Sequence, residues 1–83
     1  NMTVGELILT NKDRYTKVYL IKNDKLTKEA VFVKADEKSL DEKTILIEAK
    51  DYFILDKEGI DEIFGNSKDL NVNDEDKVLL IGI

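Results

Sequence analysis

Histidine, cysteine, tryptophan and proline are all absent from this 83-residue chain. Each absence removes a kind of chemistry. Without imidazole, the commonest general base is missing, and so is the side chain that titrates near neutrality at its ordinary pKa. Without thiols there is neither a disulfide framework nor a thiolate nucleophile. The two absences together exclude most zinc, copper and haem ligation. Nothing points to an oxidising compartment. With no proline and only four scattered glycines, no linker interrupts the pattern, and we read residues 1–83 as one domain. Apolar runs reach about half a dozen residues, as from Val78 to Ile81 with Ile83. A membrane-crossing helix needs roughly twenty, and a signal-peptide core is also longer. The expectation is a cytoplasmic protein with no membrane partner. Asn1 ahead of Met2 reads as a residue preceding the natural start.

What the chain does have is 42% hydrophobic and 37% charged side chains. That suffices for one modest core and is too apolar for a disordered acidic tail. The net charge of −5 is unevenly placed. Residues 1–35 hold seven basic against four acidic side chains, and residues 36–83 hold six lysines against fourteen acids. Such asymmetry bears on partners rather than on fold.

Thr3-Val4-Gly5-Glu6 has the spacing of a capping box, followed by Leu7-Ile8-Leu9, so a short first helix is predicted. Gly5 weakens it, and an opening strand is the rival. Tyr15 to Lys22 reads as a strand, Asn23-Asp24-Lys25 as a turn, and Lys28 to Lys34 as the returning strand. Asp36 to Lys43 reads as a loop or one helical turn that Ser39-Leu40-Asp41-Glu42 would cap. Thr44 to Glu48 and Tyr52 to Leu55 read as further strands. Asp56 is a fitting N-cap for a helix that carries Ile60, Ile63 and Phe64 on one face and stops at Gly65-Asn66. Ser67 to Asp76 reads as a polar loop. Lys77 to Ile83, nearly all apolar, reads as a central strand buried on both faces. The fold class is α+β: a mainly antiparallel sheet of about four or five strands packed with one or two short helices.

Three features invite a functional reading. With a hairpin loop of two or four residues, Val18 faces Val31 and Thr16 faces Val33. The opposite face then gathers Tyr15, Lys17, Tyr19, Lys28, Phe32 and Lys34, the ingredients of a platform on which unpaired bases stack while lysines meet phosphates. The plainer reading covers this face with helices or a second subunit, and the overall negative charge opposes a polyanion. Second, Asp61, Glu62, Asp69, Asp74, Glu75 and Asp76 are candidates for an acidic surface that steers the chain to a basic partner. Against it stands an ordinary solubilising surface. Third, Asp69, Asn71 and Asn73 match the opening ligands of a calcium loop, but Asp74 stands where the turn needs Gly and Leu80 where the bidentate Glu belongs. No metal and no cofactor is expected. The adjacent acids carry no oxyanion donor, phosphate loop or activated nucleophile, so catalysis is not expected either.

Met2-Thr3-Val4-Gly5-Glu6-Leu7-Ile8, then Thr16-Lys17-Val18-Tyr19-Leu20-Ile21 with the turn Asn23-Asp24, and the closing strand Val78 to Ile83, resemble small uncharacterised proteins of phages and integrative elements in low-GC Gram-positive bacteria. The likeness covers about the first third and the last few residues, and the helix from Asp56 to Phe64 lies outside it. It implies a mobile-element accessory protein acting on host machinery, and it carries no functional residues over. The expected function is therefore non-enzymatic protein binding. Single-stranded nucleic-acid binding and a structural homodimer, both through the Tyr15–Phe32 face, are the alternatives.

Overall fold

The computed structural model describes residues 1–36, 40–65 and 67–83. The Ser39 cap and the Asn66 half of the Gly65-Asn66 stop lie outside them. Helix α1 runs from Val4 to Thr10. Both halves of its capping box form: the Glu6 N–H donates to Thr3 Oγ1 (3.2 Å) and the Thr3 N–H to Glu6 Oε1 (3.0 Å). At its far end the buried Asn11 amide donates to the Leu7 carbonyl (2.8 Å), and the Tyr15 hydroxyl donates to the Ile8 carbonyl (3.0 Å), which fixes the chain's exit into the sheet.

Strand β1 spans Lys17–Lys22 and turns at Asn23 and Asp24, whose φ values of 52° and 63° give the mirror-image turn that suits a twisted hairpin. The return is not one strand. β2 is Lys25–Leu26 and β3 is Phe32–Val33, both antiparallel to β1. Between the paired stretches β1 has residues 19 and 20, whereas the return has residues 27 to 31. The Leu20 carbonyl accepts from both the Thr27 N–H and the Thr27 hydroxyl, and the Leu20 N–H donates to that hydroxyl in place of a backbone carbonyl. The surplus shifts the register, so Val18 pairs with Phe32 and Lys17 with Val33. The predicted pairs Val18–Val31 and Thr16–Val33 are corrected by one residue.

A second correction concerns Thr44 to Glu48. Glu42–Ile45 is a helical turn, α2, capped by Asp41, which accepts from the Thr44 N–H (2.9 Å) and the Thr44 hydroxyl (3.0 Å). Local capping overrides the β-branched pattern there. Only Glu48 makes a bridge, with Thr3, beside the bonds from the Val4 N–H to the Ile47 carbonyl and from the Ala49 N–H to the Met2 carbonyl. Strand β4 is Asp51–Leu55 and α3 is Lys57–Phe64, with Asp56 accepting from the Gly59 N–H (2.8 Å). Ile60 is 1% exposed, but Ile63 is 56% exposed and lies on the helix flank instead of the shared face.

Residues after α3 depart from a plain polar loop. A 3-10 turn covers Ser67–Leu70, and Leu70, Val72 and Asp76 are buried. β5, Val78–Gly82, then enters the sheet between β1 and β4, buried at all five positions as expected. It runs parallel to β1 and antiparallel to β4, so the sheet is mixed, with three of its four pairings antiparallel. Val18, Leu20, Leu79 and Ile81 pack with Val4 and Leu7 of α1 on one face; Tyr19, Val78 and Leu80 pack with Ile60, Leu70 and Val72 on the other. The result is an α+β fold, with three α-helices on a five-stranded sheet among the described residues. Among the described residues, no helix is long and apolar enough to cross a membrane.

Candidate functional site

The six residues of the aromatic and lysine platform divide: Tyr15, Phe32 and Lys34 come together, and Lys17, Tyr19 and Lys28 lie apart from them. Tyr15 and Phe32 meet edge to face, centroids 6.3 Å apart, in the α1-side core, with the Lys34 ammonium 5.7 Å from the Tyr15 ring centre. Lys34 is tied to Asp13 at 2.9 Å, which holds the Asp13 carboxyl below its ordinary value through a hydrogen bond and charge attraction. Burial pushes the Tyr15 phenol up, partly offset by Lys34. Tyr19 belongs to the opposite core, where its hydroxyl donates to the Leu70 carbonyl. Lys17 is buried as well, and Lys28 stands exposed in the 27–31 segment. The shifted register separates Phe32 from Tyr19, because Phe32 opposite Val18 lies on the other face, while Tyr15, ahead of β1, is held to α1 by the Ile8 carbonyl.

The acidic set also divides. Glu62, Asp69, Asp74 and Glu75 are exposed, and Asp61 is half-buried on α3. Asp74 sits 3.5 Å from Lys57. Asp76, however, is interior. Its carboxylate pairs with Lys17 at 3.0 Å and accepts from the Thr16 hydroxyl and the Asn73 N–H, each at 2.8 Å, while the Lys17 ammonium also donates to the Asn71 carbonyl. Burial pushes this carboxyl up, but the Asn73 N–H, Lys17 and Thr16 outweigh it and hold it below the usual value. Asp76 and the Asn71 carbonyl therefore pin the loop to Lys17 of β1, and Asp76 is removed from the acidic surface. Among the described residues, no group of three or more carboxylates, imidazoles or thiols is placed to hold a metal.

The feature best formed for recognition is one that the sequence reading missed. A groove of about 680 Å³ lies between α1 and α2, floored by Ile8, Tyr15, Phe32 and Ile45 and walled by Leu9 and Leu46. Leu9 and Leu46 are each 72% exposed. Gly5 makes the groove narrow at its base: a β-carbon there would stand 3.0 Å from Ile45 Cβ and 3.1 Å from the Ile45 carbonyl oxygen. The glycine that weakens α1 as a helix thus lets α2 approach it closely. Lys12 and Lys34 stand on the rim with Glu6, whose carboxylate is engaged in the capping box. Such a surface can bury a partner's apolar side chains and meet acids beside them. Two signals marked it: the Asp41-x-x-Thr44 cap of α2, and Leu9, which falls off the Val4–Leu7–Ile8 face.

No family model, curated protein or solved structure matches this chain. The groove is therefore read on its chemistry alone.

Proposed function

We propose that this chain is a non-enzymatic protein-binding module that seats an apolar segment of its partner in the α1–α2 groove. The supporting observation is the pair Leu9 and Leu46, held in water on either side of an apolar floor. Two exposed leucines on neighbouring elements cost solubility, and a partner's apolar side chains would remove them from water at about 25 cal/mol per Å². Lys12 at the rim favours an acidic residue flanking that segment, whereas Lys34 on the same rim is already paired with Asp13. The setting, a phage or integrative-element accessory protein acting on host machinery, rests on the resemblance of the opening helix, hairpin and closing strand.

The test is capture from host lysate on immobilised chain, at low and high salt, with Leu9→Lys and Leu46→Lys variants beside the parent. Both positions are exposed, so the variants retain the parent's thermal transition. The expected result is a partner that stays bound in high salt, because apolar contact is not screened, and is lost from both variants. A partner that washes off in salt and binds the variants as well as the parent would place recognition on the acidic surface and overturn the groove.

A further inference from the structure

The sheet ends unevenly. On one side β1 is covered by β2 and β3, whereas on the other β4 has no strand beyond it among the described residues. The open stretch has fixed limits. On its N-terminal side the chain is already paired on that outer edge, through the bond from the Ala49 N–H to the Met2 carbonyl; the next N–H, that of Lys50, points inward to the Gly82 carbonyl. Within β4, Asp51, Phe53 and Leu55 are paired with Gly82, Leu80 and Val78, whose backbone groups face away from β1, so alternation turns the backbone groups of Tyr52 and Ile54 outward. At the C-terminal side the chain leaves the sheet at Asp56 to begin α3. An open window from Asp51 to Leu55 remains, and Phe53, 53% exposed, is at its middle.

This window lacks the usual protection of an edge strand. It contains no proline or lysine, and exposed apolar side chains flank it on both faces, with Tyr52 on the α1 side and Phe53 near Ile63 on the α3 side. We propose that the free edge of β4 pairs antiparallel with β4 of a second copy about a two-fold axis at Phe53. The inference is independent of the groove and goes beyond the proposed function.

Register and charge both select this partner. Overlap of the whole window sets Asp51 opposite Leu55, Tyr52 opposite Ile54 and Phe53 opposite itself, so every outward backbone position meets another outward position. The same register places Lys50 across from Asp56 of the second copy, and by symmetry Asp56 across from its Lys50. Both side chains are exposed, and Lys50 has no ion-pair partner among the described residues. A slip of one residue in the pairing sum would set Lys50 against Lys57 or leave outward groups facing inward ones, which the ladder does not allow. Asp51 does not obstruct the pairing, since its carboxylate is folded back over Gly82.

The absence of native cysteine makes the test direct. Sedimentation of the parent across concentration should show a reversible monomer–dimer equilibrium. Phe53→Lys sets like charges opposite each other at the axis and should weaken dimerisation by about tenfold or more with the thermal transition retained. Under mild oxidation Phe53→Cys should form a disulfide-linked dimer, because directly opposed residues lie within disulfide reach. Tyr52→Cys should not, because residue 52 faces residue 54 and its own copy lies diagonally, about 7 Å or more away. A parent that is monomeric at every concentration would overturn the proposal and leave the edge to a strand from a different protein. Equal crosslinking of both cysteine variants, or a dimer indifferent to Phe53→Lys, would overturn it too, by placing the contact elsewhere.

Discussion

Two charged side chains meet in the interior of the molecule. Lys17 and Asp76 lie 3.0 Å apart, both buried. A buried pair of this kind adds little over an apolar pair of the same shape, but removing one partner strands the other charge away from water. Asp76 also organises the loop through the Thr16 hydroxyl and the Asn73 N–H. Asp76→Asn should therefore cost about 3 kcal/mol at neutral pH, read as a drop in the denaturant midpoint. The pH dependence follows from the sign of the shift. The folded-state pKa of Asp76 lies below its ordinary 3.8, so its stabilising contribution is full above that value and is lost as pH falls through the folded pKa. The gap between parent and variant should narrow on acidification below about pH 4. A gap that stays constant down to pH 2 would show that the carboxylate's charge has no part in the effect.

At the scale of elements, the segments that obey local rules are those that sequence reading located. The tight turn is one, and it is not optimal. Asp24 holds φ at 63°, where a residue with a β-carbon is strained, and Asn-Gly is the preferred pair for this turn. Asp24→Gly should raise stability by about 0.5 kcal/mol, visible as a higher melting temperature, whereas Asp24→Val should lower it. Helices α1 and α3 were legible for the same reason: Thr3 with Glu6, and Asp56, satisfy backbone groups within three residues of themselves. The α2 turn was not legible, because Thr44, Ile45 and Ile47 alternate like a strand, and the outcome was decided by the Asp41 cap and by Ile45 seating on Gly5, forty residues away. The register was not legible because one hydroxyl, on Thr27, replaced a backbone partner of Leu20. Those two misses account for the site. The platform depended on the unshifted register, and the groove existed only once α2 was a helix.

For the molecule as a whole, the last segment of the sequence is the middle of the structure. β5 lies between β1 and β4, and its parallel pairing with β1 joins residues about sixty positions apart. Val78 and Leu80 serve one core, and Leu79 and Ile81 the other. Burying these four side chains is worth about 6–12 kcal/mol at about 1.5–3 kcal/mol each, and a domain of this length has about 4–12 kcal/mol of net stability. Neither half can compensate for the loss, because without β5 the edge strand β4 has no strand to pair with and β1 keeps only the short partners β2 and β3. A fragment of residues 1–77 should consequently show no cooperative thermal transition, with α1 and the hairpin each too small to persist alone. A cooperative melt by circular dichroism would mean that β1 with β2, β3 and α1 forms an autonomous core. Leu79→Ala gives the graded version of the same test. It should lower stability by about 2–5 kcal/mol while keeping a single transition, because Leu79 is wholly buried and the cavity it leaves lies at the centre of the α1-side core.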